Sequence, residues 1–193
     1  MKQDIILAGV GGQGILSIAF VIDSAALKEG LQIKQAEVHG MSQRGGAVQS
    51  HLRLSREPIW SDLIPKGKAD LVLSVEPLES LRYLDYLAPG GMLITSATPF
   101  VNIPDYPELD KILAEVRRGG NAVIVDSDKL AKEAGSSKAQ NMVMLGAASN
   151  RLMLKTENLE EVIRKLFEPR GEAMVAMNLK AFALGREAGR AAA

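Results

Sequence analysis

Six residues, Gly9-Val10-Gly11-Gly12-Gln13-Gly14, constrain this chain more than any other stretch. They follow a short apolar run, Ile5 to Ala8, and precede Ile15, Ile18, Ala19, Ile22 and Ala26 at helical spacing. A strand buried on both faces, a glycine turn and a helix open a parallel α/β unit. The glycines permit a tight turn, close approach of a ligand to the backbone, and close packing of helix on strand. Free N–H groups at the helix start favour an anion by about 0.3–1 kcal/mol, up to ~2 when partly buried. Three readings stay open: a nucleotide phosphate, another anion or a subunit contact, and packing alone. A dinucleotide would need an acid on the second strand, and Glu37 is the candidate, slightly later than the usual ~20 residues.

Beyond the first helix, Gly30 stands where a left-handed C-cap is expected. A second strand is predicted over 33–38. From Val48 to Leu54 apolar and polar residues alternate, predicting a half-solvated strand of antiparallel character. Arg56-Glu57-Pro58 then reads as a hairpin turn into Ile59-Trp60-Ser61, with Trp60 anchoring that hairpin to the core. Further strands are predicted at 70–75, 92–95 and 122–125. Helices are predicted at 78–87 after Pro77, at 108–118, 128–133, 142–154 and 159–167, and from 172 to about 190. Asn158 and Glu161 have the spacing of a capping box. Strands alternating with helices predict a three-layer α/β/α, Rossmann-like fold. Its mostly parallel, mixed sheet has an antiparallel hairpin at one edge. The 193 residues are read as one domain, the C-terminal helices (141–190) packed on it.

Composition removes several functions. Twenty-three Lys+Arg balance twenty-three Asp+Glu, so no net field gathers polyanions and a nucleic-acid partner is not expected. The chain has no cysteine, which excludes thiolate nucleophiles and cysteine-ligated iron–sulfur clusters within it, and two histidines leave little for a metal site. No apolar run approaches the roughly 18–20 residues that span a bilayer, and Met1-Lys2-Gln3-Asp4 does not open a secretory signal. A cytoplasmic location without membrane contact is expected.

The polar stretch from Glu37 to Gly46 is costly to bury and unnecessary for a fold. Arg44 in it has the forked geometry that grips a carboxylate or phosphate, and His39 has a side chain that titrates near neutral pH. A ligand or partner contact through His39, Ser42, Gln43, Arg44, Gly45 and Gly46 stands beside a plain solvated loop. His51 reads as a strand histidine without catalytic role, and no nucleophile–base–orienter set is positioned by sequence. Asn141 is either a helix cap or, with Lys138 and Gln140, part of a polar site. The segment 99–107, carrying Phe100, Val101 and Ile103, is either a partner surface or a rigid connection packed on its own domain.

Five stretches also carry a resemblance: GVGGQGIL at 9–16, AEVHGMSQRGGAVQSHLR at 36–53, SDLIPKGKADLVLSVEPLESLRYL at 61–84, PFVNIP at 99–104 and KAQNMVMLGAAS at 138–149. In this order and spacing the chain resembles the gamma-type subunits of the 2-oxoacid:ferredoxin oxidoreductases, on their indolepyruvate branch. The resemblance implies oxidative decarboxylation of an aryl pyruvate to an aryl-acetyl-coenzyme A, with electrons passing to ferredoxin. It implies that thiamine diphosphate, Mg2+ and [4Fe-4S] clusters belong to a larger alpha subunit, with coenzyme A as co-substrate. This chain alone would then be inactive, supplying no catalytic residue and no metal ligand. Its part would be to complete the assembly through Gly9, Gly11, Gly12, Gln13 and Gly14 and through the 39–46 loop. The competing expectation is an independent NAD(P)- or flavin-binding oxidoreductase using the same glycine loop.

Overall fold

The computed structural model describes residues 1–39 and 45–191, with the side chain of His39 left aside. The strands are β1 (Lys2–Val10), β2 (Gln32–His39), β3 (Ala47–Ser55), β4 (Ala69–Ser74), β5 (Leu87–Ser96) and β6 (Ala122–Val125). The helices are α1 (Ile15–Lys28), α2 (Pro77–Leu81), α3 (Leu109–Arg118), α4 (Ser127–Ala134), α5 (Gln140–Ser149), α6 (Thr156–Phe167) and α7 (Glu172–Ala191). The strands form one mixed sheet in the order β2-β3-β1-β4-β5-β6. β1, β4, β5 and β6 run parallel, and β3 is antiparallel to both β1 and β2. Ile5, Leu7, Leu52, Leu71 and Ile94 point to the face covered by α1, α5 and α7. Ile6, Ala8, Val72 and Leu93 point to the other face, packed with Ile64, Tyr83 and Val116. This is the expected α/β architecture with helices on both faces.

The antiparallel edge is built from other strands than the sequence suggests. β3 has β2 on one side and β1 on the other, so no edge is free for Ile59-Trp60-Ser61 to pair with. The polar face of β3 is covered rather than half-solvated. The guanidinium of Arg53 donates through Nη1 to the carbonyls of Ser61 and Leu63 at 2.9 and 3.1 Å. The backbone N–H of Ile64 donates to Nδ1 of His51 at 3.0 Å. The segment after β3 therefore crosses the sheet face, held by the residues whose alternation looked solvent-facing. His51 is buried, and its pKa is lowered by that burial and by the Arg53 charge. Trp60 anchors nothing: it is 93% exposed.

Three other expectations are corrected. The helix predicted over 78–87 ends at Leu81, because the chain turns through a 3-10 segment at 84–86 and Leu87 then pairs with Ala69 as the start of β5. The helix predicted to reach Leu154 stops at Ser149. The amide of Gln3 holds the following turn at both ends, donating to the Arg151 carbonyl at 2.6 Å and accepting from Met153 N–H at 3.0 Å. Leu152 and Leu154 continue the apolar pattern because they finish the core, without being helical. The capping box is absent too. Asn158 Nδ2 donates to Glu29 at 2.8 Å, and Glu161 pairs with Lys28 and Lys165.

α5 is buried from Asn141 through Ser149 and packs directly on α7. A Cβ added at Gly146 would lie 2.0 Å from the Phe182 carbonyl oxygen, and one at Gly185 would lie 1.9 Å from that of Val143. The two helices meet backbone on backbone, which only glycine allows. This contact fixes α5 against the sheet and so fixes the position of its first residues at the carboxyl ends of the strands.

Candidate functional site

β1 leads through α1 to β2 on one side of itself, while β4 lies on its other side. In open α/β sheets such a switch point leaves a crevice at the carboxyl ends of the strands, where ligands bind. Here a cleft of about 420 Å³ opens at that place, lined by Gly12 and Gln13 after β1, Val75 after β4, and Thr98 to Phe100 after β5. Ser137, Lys138 and Gln140 close its far side.

The glycine loop is stitched in place from several directions. Gln13 folds back so that its Oε1 accepts from Val10 N–H at 2.8 Å, and its Nε2 donates to the Val75 carbonyl at 3.3 Å. Gly14 takes φ +81° and serves as the N-cap of α1, its carbonyl accepting from Ser17 and Ile18. Asn141 lies inside the first turn of α5 rather than ahead of it, and its Nδ2 donates to the same Gly14 carbonyl at 3.4 Å. Beside the loop, Gly11 N–H donates to Gly46 O at 2.8 Å and Gly45 N–H donates to Gly11 O at 3.2 Å. Of the residues singled out in the sequence, Gly9, Gly11, Gly12, Gln13, Gly14, Gly45, Gly46 and Asn141 are thus brought together. Gly40, Met41, Ser42, Gln43 and Arg44 lie outside the described residues, as does the side chain of His39.

Sequence reasoning missed the group that holds the third wall. Glu76, just past β4, is 1% exposed and caps α2, accepting from Glu79 N–H at 2.7 Å. Its other oxygen accepts from Phe100 N–H at 3.2 Å and from the hydroxyl of Tyr106. Burial and the adjoining carboxylate push the Tyr106 hydroxyl's pKa up, which keeps it a donor. Asn102 Nδ2 donates to Gly45 O at 2.6 Å. The apolar segment at 99–107 is therefore a strap tied by its polar groups to β4 and to the glycine-loop neighbour, while Phe100, Val101 and Ile103 remain exposed on it. Pro77 marks the helix start, but Glu76 is not of the residue types that usually cap one, and its long-range tie to Tyr106 has no sequence signal. Behind the cleft, the Ser96 and Ser127 hydroxyls meet at 2.7 Å, Ser127 donates to Gln140 at 3.1 Å, and Gln140 donates to Asp128 at 3.3 Å.

Glu37 does not serve a dinucleotide in the usual way. β3 lies between β1 and β2, so the acid is one strand further from the glycine loop than in a fold whose first two strands are neighbours. Among the described residues, no cluster of three or more His, Asp or Glu is placed to hold a metal ion, and no helix is long and apolar enough to cross a membrane.

Fold and cleft together define a doubly wound α/β protein with a glycine-lined cleft at its switch point. The chain belongs to the pyruvate ferredoxin/flavodoxin oxidoreductase family, whose pattern matches residues 4–188. It is 40% identical over 201 residues, covering 98% of both chains, to the indolepyruvate oxidoreductase subunit IorB of Thermococcus kodakarensis. It is 36% identical to the protein of that name from Archaeoglobus fulgidus, over 96% of this chain and 94% of that one. Its fold is similar to that of the 2-oxoglutarate:ferredoxin oxidoreductase of Magnetococcus marinus, solved with 2-oxoglutarate, coenzyme A and succinyl-CoA bound. The TM-score is 0.79 at 26% identity, over 98% of this chain and 31% of that one. The keto/oxoacid ferredoxin oxidoreductase gamma subunit of Geobacter sulfurreducens gives a TM-score of 0.70 at 26% identity, over 98% and 99%.

Proposed function

We propose that this chain is the small subunit of an indolepyruvate oxidoreductase and builds the acyl-acceptor side of its reaction chamber. The assembly converts an aryl pyruvate and coenzyme A to the aryl-acetyl-coenzyme A and CO2, and two electrons leave one at a time to ferredoxin. Thiamine diphosphate with Mg2+ and the [4Fe-4S] clusters belong to a larger subunit; a chain without cysteine supplies no thiolate for a cluster. The observation that carries this reading is the near-full-length identity to the IorB subunits, together with a glycine cleft whose every wall is tied by hydrogen bonds.

Within that assembly the chain's own groups bind and position. The glycine loop lets a ligand approach the backbone closely, and the exposed ammonium of Lys138 at the cleft favours a phosphate or carboxylate. The strap at 99–107 presents Phe100, Val101 and Ile103 to the larger subunit, because apolar residues fixed from behind lose little entropy when covered. Arg44, next in sequence to Gly45, is assigned to the coenzyme A side. Replacing it by Met in the reconstituted complex is expected to raise the coenzyme A KM about tenfold or more while leaving the 2-oxoacid KM in place. An unchanged coenzyme A KM and kcat would remove Arg44 from that role.

A further inference from the structure

α1 is apolar around most of its circumference, yet only one side of it is covered. Ile15, Ile18, Ile22 and Ala26 are buried toward the core. Leu16, Phe20, Asp23 and Leu27, spaced four, three and four residues apart, fall within about 60° of arc on the outer side. Leu16 is 53% exposed, Phe20 52% and Leu27 66%. That is the spacing at which one helix meets another, and a helix apolar all round is one that a finished structure buries. The neighbouring α6 shows the ordinary alternative, with Glu157, Glu160, Glu161, Arg164 and Lys165 exposed on its outer side. Between the two helices a groove of about 370 Å³, lined in part by Phe20, Ser24, Val162 and Leu166, borders the apolar stripe.

One charge sits in the middle of this row. Asp23 is half-buried, its Oδ1 is buried without a hydrogen-bond partner, and no cation answers it among the described residues. Burial pushes its pKa from 3.8 up to about 6, so its ionised form opposes folding at neutral pH. The only cation of α1, Lys28, is held by Glu161. A carboxylate in this state calls for a donor from outside the chain. A second copy does not bring one: two-fold pairing of the stripes sets Asp23 against Phe20 or against the other Asp23, carboxylate near carboxylate. At its amino end the stripe reaches the glycine loop, since Leu16 and Gly12 line one cavity, and so runs into the chamber that the two subunits share. We infer that the outer stripe of α1 docks a helix of the larger subunit. Apolar residues of that helix pack on Leu16, Phe20 and Leu27, and a lysine or arginine of it meets Asp23. This docking presupposes that the chain is a subunit, as proposed above.

Titration of the full chain against the larger subunit, with binding followed by sedimentation, reads the effect. Phe20→Ser is expected to weaken association about thirtyfold or more. Asp23→Asn weakens it about tenfold, and Asp23→Lys further still, because a cation then faces a cation. The melting temperature of the free chain is expected to hold or rise in Asp23→Asn, since an unanswered carboxylate is removed; the loss of assembly is then not a loss of fold. Phe20 is more than half exposed, so Phe20→Ser gives a second, independent reading. Wild-type affinity in both Phe20→Ser and Asp23→Lys overturns the docking site. Ferredoxin reduction by the combined subunits would still test the glycine-cleft reading on its own. A wild-type chain that does not associate with the larger subunit overturns both. A free chain that sediments as a dimer, and as a monomer once Phe20 is replaced, gives the stripe to a second copy and overturns the docking site as well.

Discussion

Asp4→Ala is expected to destabilise the chain by about 3–5 kcal/mol, the usual result of stranding one partner of a buried ion pair. Asp4 lies on β1 with its side chain 0% exposed. Its two oxygens take Nε and Nη2 of Arg53 at 2.8 and 3.1 Å, and Lys2 adds a contact at 2.7 Å. The Arg53 side chain is only 12% exposed, so without the carboxylate its charge has little water to turn to. The same guanidinium holds the Ser61 and Leu63 carbonyls, so the segment that covers the sheet face loosens with it. For a chain of this size the loss lowers the melting temperature by roughly 6–20 °C. Urea unfolding of the single variant and of an Asp4→Leu/Arg53→Met double variant reads it. The double variant should recover most of the loss, since an apolar pair of similar shape strands no charge. A single variant within about 1 kcal/mol of the wild type would show that water reaches Arg53 after all.

Gly185→Ala should destabilise by about 3 kcal/mol or more, at or above the upper end of ordinary overpacking. The sign makes this a sharp test. In an unencumbered helix the same change stabilises by about 1 kcal/mol, because alanine loses less backbone entropy than glycine. Here the new Cβ would meet the Val143 carbonyl oxygen at 1.9 Å, and backbone of a buried helix cannot swing aside as a side-chain tip can. α7 must move off α5, or α5 must move toward the sheet and carry Gln140 and Asn141 with it. The second response reaches the glycine loop through the Asn141–Gly14 hydrogen bond. Reduced assembly with the larger subunit is therefore expected alongside the lower unfolding midpoint. A stabilised variant would mean that the helices do not touch through their backbones.

How far the chain can be read in advance depends on the range of the forces involved. β1, α1 and the glycine turn are legible because burial on both strand faces, helical spacing and positive-φ demand are all local. β6 is legible for the same reason. The partner of β3 is not: the Gln49, His51 and Arg53 alternation has the pattern of a solvated face, and only tertiary structure supplies the backbone groups that cover it. α5 looks longer than it is because Leu152 and Leu154 keep the apolar rhythm for the core's sake. At the cleft, the glycines and Asn141 are visible in sequence. Glu76 bonding to Tyr106, and Asn102 to Gly45, join residues that only the sheet's winding brings together. Gly146 and Gly185 had a signal that went unused, glycines within strongly helical stretches, where they cost stability unless backbone must approach backbone.

In the proposed function this polypeptide shapes and positions while another chain breaks and forms the bonds. That is tested most directly by following ferredoxin reduction with indolepyruvate and coenzyme A under anaerobic conditions, with this chain alone, the larger subunit alone, and the two combined. Turnover is expected from the combined sample, none from this chain by itself, and loss of coenzyme A-dependent turnover when this chain is left out. Ferredoxin reduction by this chain in isolation, or full coenzyme A-dependent turnover without it, would overturn that division of labour.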